Sequence, residues 1–177
     1  EYEIHHNPKK WSTGQHVDHL RKATKAVNRG FKIPKLILWF KFGKLGRAEM
    51  DYNTVEKMYK KKTAGGGEAP KSFVPRERSK DRKIELNKWL KAERDTMLKF
   101  LDTQTEKRLS KTCLPHPLIG NMSFRELAMF TAVHTEHHVD LIKKLERHSS
   151  TPVLTYNEIC LCQLTENDIS MTSSERV

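Results

Sequence analysis

The chain has 177 residues, which suits one domain that can bury a core without disulfides or a structural metal. Hydrophobic residues make up 36% of it, and glycine and proline are few (8 and 7), which favours helices over an all-β chain with many turns. Lysine and arginine outnumber acidic residues by 33 to 22. We interpret the net charge of +11 as a solvated basic surface, because the chain lacks the arginine-rich arm and aromatic-interleaved basic patch typical of nucleic-acid binding.

The first predicted helix carries two histidines on its inward face. Ser12 and Gln15 form a capping box for a helix from about residue 13 to residue 29, and Gly30 is expected to end it. Helical spacing then predicts this inward stripe: His16, His19, Leu20, Ala23, Ala26 and Val27.

Two short helices and a loop are expected next. Pro34 can begin an apolar helix that ends at Gly43, and residues 51–61 suit another helix. Residues 62–81 contain three consecutive glycines and two prolines, which predicts the clearest loop of the chain.

The second half predicts two long helices separated by a loop. One helix should open at Ser79 or Asp81 and continue to about residue 110, followed by a loop over residues 113–122.

Ser123 and Glu126 then form a second capping box, which begins a helix that runs to about Arg147. The apolar stripe of this last helix contains Leu127, Thr131, His134, His138, Leu141 and Leu145.

After residue 148 the composition changes. Residues 149–177 are rich in serine and threonine and have one arginine against four acidic residues. We therefore predict a helical metal-binding domain over residues 1–148 and a poorly ordered, flexible tail over residues 149–177. In this tail Cys160 and Cys162 have no second pair of ligands with which to build a metal site.

The cysteines and apolar runs indicate the compartment. Three cysteines give no disulfide framework, and no secretory signal peptide is visible. The longest apolar run, residues 36–40, is far too short to span a membrane. The sequence thus predicts a cytoplasmic protein without a membrane partner.

The histidines of the last helix are the strongest candidates for chemistry. His134 and His138 are four residues apart, so they point the same way from one helical face, whereas His137 is less convergent. Two imidazoles hold a metal poorly, and a third ligand must come from another helix. Spacing alone does not choose between His16 and His19 for that ligand.

Other sites fit less well. Glu136 stands two residues after His134, whereas a zincin helix needs its glutamate directly after the first histidine. The paired Glu-x-x-His motifs of di-iron bundles are missing. The remaining histidines lie in predicted loops or at predicted ends and are expected at the surface: His5, His6, His116 and His148.

Several motifs in a fixed order resemble the DinB-like superfamily, which includes the YfiT-type proteins. They are Trp-Ser-Thr-Gly-Gln-His-Val-Asp-His-Leu at 11–20, Leu-Pro-His-Pro-Leu-Ile-Gly at 114–120, Ser-Phe-Arg-Glu-Leu at 123–127 and His-Thr-Glu-His-His at 134–138. The resemblance covers about residues 9–147 and implies an all-α four-helix bundle.

The same resemblance implies one divalent metal, zinc, nickel or iron, held by His19, His134 and His138. Characterised branches of the family are similar to thiol S-transferases that use a low-molecular-weight thiol and to thiol-dependent isomerases, and other members are described as metal-dependent hydrolases. A small-molecule substrate is therefore implied. Gln15 and Asp18 are candidate hydrogen-bond partners near His19, but Asp18 is adjacent to it in sequence and is expected to point away from the metal. No catalytic base is assigned.

The chain departs from the family pattern before Trp11. Residues 1–10 are too few for the family's long first helix, so the chain is a fragment or another segment fills that groove. Exposed apolar faces would then favour a homodimer. Two alternatives compete with an enzyme. One is a non-catalytic metal-binding or stress-associated protein whose basic surface (residues 60–62 and 76–83) contacts an acidic partner. The other is a damaged paralogue that retains the motif without activity.

Overall fold

A computed structural model describes residues 11–66, 69–76 and 83–146. Within these ranges the chain is predominantly helical, which confirms the predicted all-α class. The elements are α1 (Thr13–Phe31), α2 (Lys35–Phe42), α3 (Tyr52–Thr63), a 3₁₀ turn (Lys71–Phe73), α4 (Lys83–Asp102), α5 (Glu106–Lys111), β1 (Cys113–His116), β2 (Gly120–Ser123) and α6 (Phe124–Glu146). The predicted tail and the segment before Trp11 lie outside the described residues, and so do the first residues proposed for the long helix, Ser79 and Asp81.

Helix α6 forms the centre of a four-helix arrangement. Helix α1 packs against both α4 and α6, and α3 packs against α6. Along α6, residues 130–135 are all buried, which is expected of a helix with neighbours on more than one side. One core cluster joins α1, α4 and α6 through Val17, Leu20, Leu86, Leu90, Val139 and Ile142.

Both predicted capping boxes are present. Ser12 Oγ accepts from the backbone N–H of Gln15, and the Gln15 side chain accepts from the backbone N–H of Ser12 at 2.9 Å. At α6, Ser123 Oγ accepts from the N–H of Glu126 at 3.0 Å, and Glu126 accepts in return from the N–H of Ser123 at 2.8 Å. These caps satisfy amide groups that a helix start would otherwise leave unpaired, so they define where the two histidine-bearing helices begin.

The sequence predicted that Gly30 ends α1, but Gly30 lies inside the last turn of this helix. A Cβ atom at Gly30 would lie 2.6 Å from Cδ1 of Leu114 in β1. The helix continues to Phe31, which is buried. The glycine therefore serves the close approach of α1 to β1, a tertiary contact, and not the end of the helix.

Two other expectations are corrected. The single helix predicted through residue 110 is interrupted, because Thr105 caps α5 by accepting a hydrogen bond from the N–H of Arg108. The loop predicted over residues 113–122 is an antiparallel hairpin, with Cys113 opposite Ser123 and His116 opposite Gly120. Its short strands lack the alternation of apolar and polar residues by which sequence reasoning recognises a hairpin.

A buried carboxylate ties the connection between α2 and α3 to the start of α6. Glu126 is fully buried and accepts hydrogen bonds from the Arg47 guanidinium and from the backbone N–H of Met50 at 2.6 Å. Together with the bond from Ser123, these contacts hold the first turn of α6 in place.

No helix among the described residues is both long and apolar enough to cross a bilayer. The cytoplasmic location stays a prediction.

Candidate metal centre

Three histidines from two helices meet at one point. His19 lies on α1, and His134 and His138 lie one turn apart on α6. His134 Nε2 is 3.0 Å from His19 Nε2 and 3.1 Å from His138 Nε2. One ring nitrogen from each residue lies within 4.8 Å of those of the other two. The structure thus brings together all three residues predicted as metal ligands.

The spacing of these nitrogens fits a small divalent cation. Zinc–imidazole bonds of about 2.0–2.1 Å in tetrahedral geometry require ligand nitrogens about 3.3 Å apart. The two observed distances of 3.0 and 3.1 Å are slightly shorter than this value. The ligand nitrogens of the third pair, His19 and His138, lie within 4.8 Å of each other, so the cluster could hold a metal ion.

Burial keeps the three rings in the form that binds metal. It lowers the pKa of His19 to about 4 and the pKa values of His134 and His138 well below 6.5, with added repulsion from neighbouring histidines. The cause is the cost of placing a charge away from water. At pH 7 each ring is neutral and carries one nitrogen lone pair, as a metal ligand must.

A backbone carbonyl orients the His19 ring. His19 Nδ1 lies 2.9 Å from the carbonyl oxygen of Phe73, in the 3₁₀ turn. Since a carbonyl only accepts, Nδ1 carries the proton and the lone pair is on Nε2, which faces the other two rings. The next carbonyl, of Val74, accepts from Lys22 Nζ at 2.7 Å, so α1 itself holds this turn in position.

His16 supports the site from behind His138. Its Nδ1 lies 2.8 Å from His138 Nδ1, on the side of the His138 ring opposite to Nε2. Of the two histidines between which spacing did not choose, His19 lies in the nitrogen cluster and His16 contacts the far edge of a cluster member. Such a contact fixes the tautomer and orientation of the contacted ring.

The candidate partners Gln15 and Asp18 have other contacts. Gln15 belongs to the capping box of α1. Asp18 pairs with Arg21 at 2.8 Å and with Lys22 at 2.9 Å. Phe73 and His16, which sequence reasoning did not assign as partners of the cluster, contact the cluster rings instead.

Comparison with known families agrees with this arrangement. The sequence model of the DinB superfamily matches residues 1–142. The chain belongs to the DinB superfamily. No curated protein and no solved structure matched it. Membership in the DinB superfamily and a buried three-histidine cluster are both compatible with metal binding.

In this DinB-superfamily chain the cluster borders a cavity of about 470 Å³. That volume lies in the range of small-molecule sites, which is about 300–1,000 Å³. The three cluster histidines form part of its wall. Most of the remaining wall is apolar and comes from α1, the hairpin and α6, with these contributors among others: Ala23, Ala26, Val27, Leu114, Leu127, Phe130 and Leu141.

Two further histidines face this cavity. His116 was expected at the surface, but the hairpin places the centre of its ring 4.1 Å from the centre of the Phe130 ring. Burial lowers the pKa of His116 to about 4. His137 is partly buried and lines the cavity outside the nitrogen cluster, as its less convergent spacing predicted. His5, His6, His148, Cys160 and Cys162 lie outside the described residues.

Proposed function

We propose that this DinB-superfamily protein is a divalent-metal-dependent enzyme of the thiol S-transferase or hydrolase type, with the metal held by His19, His134 and His138. One observation carries the proposal: three neutral imidazoles converge on one point in the wall of a cavity large enough for a small molecule. A divalent metal with three histidine ligands would supply a coordinated hydroxide or thiolate near neutral pH. Zinc, nickel and iron all suit imidazole ligands.

The protein's own groups supply orientation and exclusion of water. Phe73 and His16 hold two of the rings, so the ligand set is organised before a substrate binds. The apolar wall favours a substrate with an apolar portion next to its reacting atom. His116 is neutral at pH 7, so it can donate or accept one hydrogen bond to a polar substrate group. A low-molecular-weight thiol is the proposed co-substrate.

One observation favours the alternative of a non-catalytic metal-binding protein. None of the described residues that line the cavity is an aspartate or a glutamate. A carboxylate base is therefore missing from this wall, and a binding role without turnover would need none.

The test combines metal content with thiol transfer. We expect the purified protein to contain about one divalent metal per chain by plasma mass spectrometry and to transfer a small thiol to an apolar electrophile. His19→Ala, His134→Ala and His138→Ala should each lose most of the metal and the activity. His137→Ala is the matched control for metal content, because this histidine lies on the same turn of α6 outside the cluster.

Different failures have different meanings. Metal bound without turnover for any thiol or ester substrate would favour the non-catalytic alternative. Metal loss equal in His137→Ala and His134→Ala, or no bound metal in wild-type protein, would refute the three-histidine site itself.

A further inference from the structure

Helix α2 exposes an unusual amount of apolar surface. Four of its eight residues are large, apolar and substantially exposed: Leu36 at 69%, Ile37 at 47%, Trp39 at 50% and Phe40 at 83%. Only Leu38 is buried. Single exposed apolar residues are ordinary, but a contiguous group of them marks a surface that contacts something else.

The exposed side chains form one continuous face. At 100° per residue, Trp39, Leu36, Phe40 and Ile37 follow one another around the helix over an arc of about 160°. Leu38 projects from the opposite side, into the protein core. The helix therefore lies on the protein through Leu38 and presents the whole apolar arc outward.

Lysines border this face on both sides. On the same helical wheel Lys35 lies about 40° beyond Trp39, and Lys41 lies about 40° beyond Ile37. Lys32 and Lys44, just before and after the helix, are also exposed. None of these four lysines forms an ion pair with another part of the chain that the structure describes. An apolar arc between lysines is the pattern of a helix that lies in the interface of an anionic bilayer.

We propose that α2 docks this protein onto anionic lipid surfaces. Trp39 and Phe40 would enter the headgroup boundary, and the lysines would contact lipid phosphates and carboxylates. The sequence predicted no membrane partner because no apolar run is long enough to span a bilayer. A helix that lies in the interface of a bilayer needs no such length.

The charge and the size of the face both favour lipid over a second copy of the chain. Facing copies of α2 would bring two helical and two flanking lysines of each copy against those of the other. Stable protein interfaces also bury about 800 Å² per partner, and a helix of eight residues is only about 12 Å long.

The proposed docking helix also adjoins the cavity. Phe42, the last residue of α2, and Ile33, just before the helix, both line the cavity wall. Docking would therefore bring the cavity close to the lipid, where apolar molecules concentrate. This link to substrate supply rests on the proposed function, whereas lipid binding does not.

The experiment is vesicle co-sedimentation of the full chain. We expect binding to phosphatidylcholine vesicles that contain phosphatidylserine, weak binding to phosphatidylcholine alone, and loss of binding at high salt. Lys35→Gln/Lys41→Gln should lower the partition coefficient about 30-fold, as two lysines at an anionic surface would. Trp39→Ser/Phe40→Ser should abolish binding.

Matched controls come from α4. Ile84 is also apolar and 71% exposed, so Ile84→Ser removes one exposed apolar side chain elsewhere. Lys88→Gln/Lys91→Gln removes the same charge at exposed positions of that helix. Both controls should bind like wild type. The tryptophan emission of the wild type should shift to shorter wavelength on vesicles, and Trp39→Phe should lose that shift.

Three results would overturn the proposal. One is wild-type protein that does not bind anionic vesicles. Another is equal loss of binding in the α4 controls, which would indicate non-specific adsorption. The third is a wild-type protein that is a dimer by light scattering and does not bind lipid, and that Trp39→Ser/Phe40→Ser converts to a monomer. This result would assign the face to a second copy. Binding is measured on metal-free and metal-loaded protein, so failure of the enzymatic proposal leaves this test intact.

Discussion

The buried histidines should make the metal-free protein sensitive to mild acid. In the unfolded chain a histidine has a pKa near 6.5. Burial, with the charges of neighbouring histidines, lowers the pKa of His16 to about 3, and burial lowers that of His19 to about 4. Between pH 6.5 and these values the unfolded chain binds protons that the folded chain does not. The free energy of unfolding therefore falls as the pH falls.

The size of the effect follows from these pKa values. Going from pH 7 to pH 5, His16 and His19 should each lower the free energy of unfolding by about 2 kcal/mol. His134 and His138 act in the same direction, because burial holds their pKa values well below 6.5. Since single domains are stable by about 5–15 kcal/mol, a loss of at least about 4 kcal/mol is a large fraction of the total.

The assay is urea denaturation of chelator-treated protein at several pH values between 7 and 5. His16→Asn should reduce the pH-dependent loss by about 2 kcal/mol, whatever its effect at pH 7. Thr24→Ala is the control, because Thr24 is buried on the same helix but does not titrate. A wild-type free energy of unfolding that stays constant over this range, or an unaltered pH slope in His16→Asn, would refute the reasoning.

Two further outcomes are expected. Glu126→Gln should lower the free energy of unfolding by about 3 kcal/mol in urea denaturation, because the buried carboxylate accepts several hydrogen bonds. The control Glu136→Gln, at an exposed position, should change the free energy of unfolding little. Similar losses in both variants would contradict this account. His16→Ala should weaken zinc binding roughly 10- to 100-fold in a chelator competition, with partial recovery in His16→Asn, because an amide can replace Nδ1 opposite His138. Unchanged affinity in His16→Ala would show that His16 does not position the ring.

Local patterns were sufficient for much of the fold. The capping boxes at Ser12 and Ser123 locate the starts of α1 and α6, because both partners of each box lie within one helical turn. The spacing of His134 and His138 likewise places both rings on one face of α6. These inferences succeeded because each depends on atoms only three or four residues apart.

Patterns that depend on distant residues could not be read in the same way. Gly30 resembles a helix end in sequence, but the Leu114 side chain decides its role. His116 resembles a surface residue until the hairpin places it on Phe130. The exposure of Trp39 and Phe40 was equally invisible, since an apolar run predicts burial unless the surrounding structure leaves it uncovered.

The sequence by itself determined that two histidines of the last helix point the same way, and it left open whether His16 or His19 of the first helix would lie beside them. Only the tertiary structure decided how α1 is rotated against α6, and with it that His19 completes the cluster while His16 contacts the back of His138. The physical reason is that helical periodicity restricts directions within a helix, whereas packing between helices more than 100 residues apart selects which atoms meet.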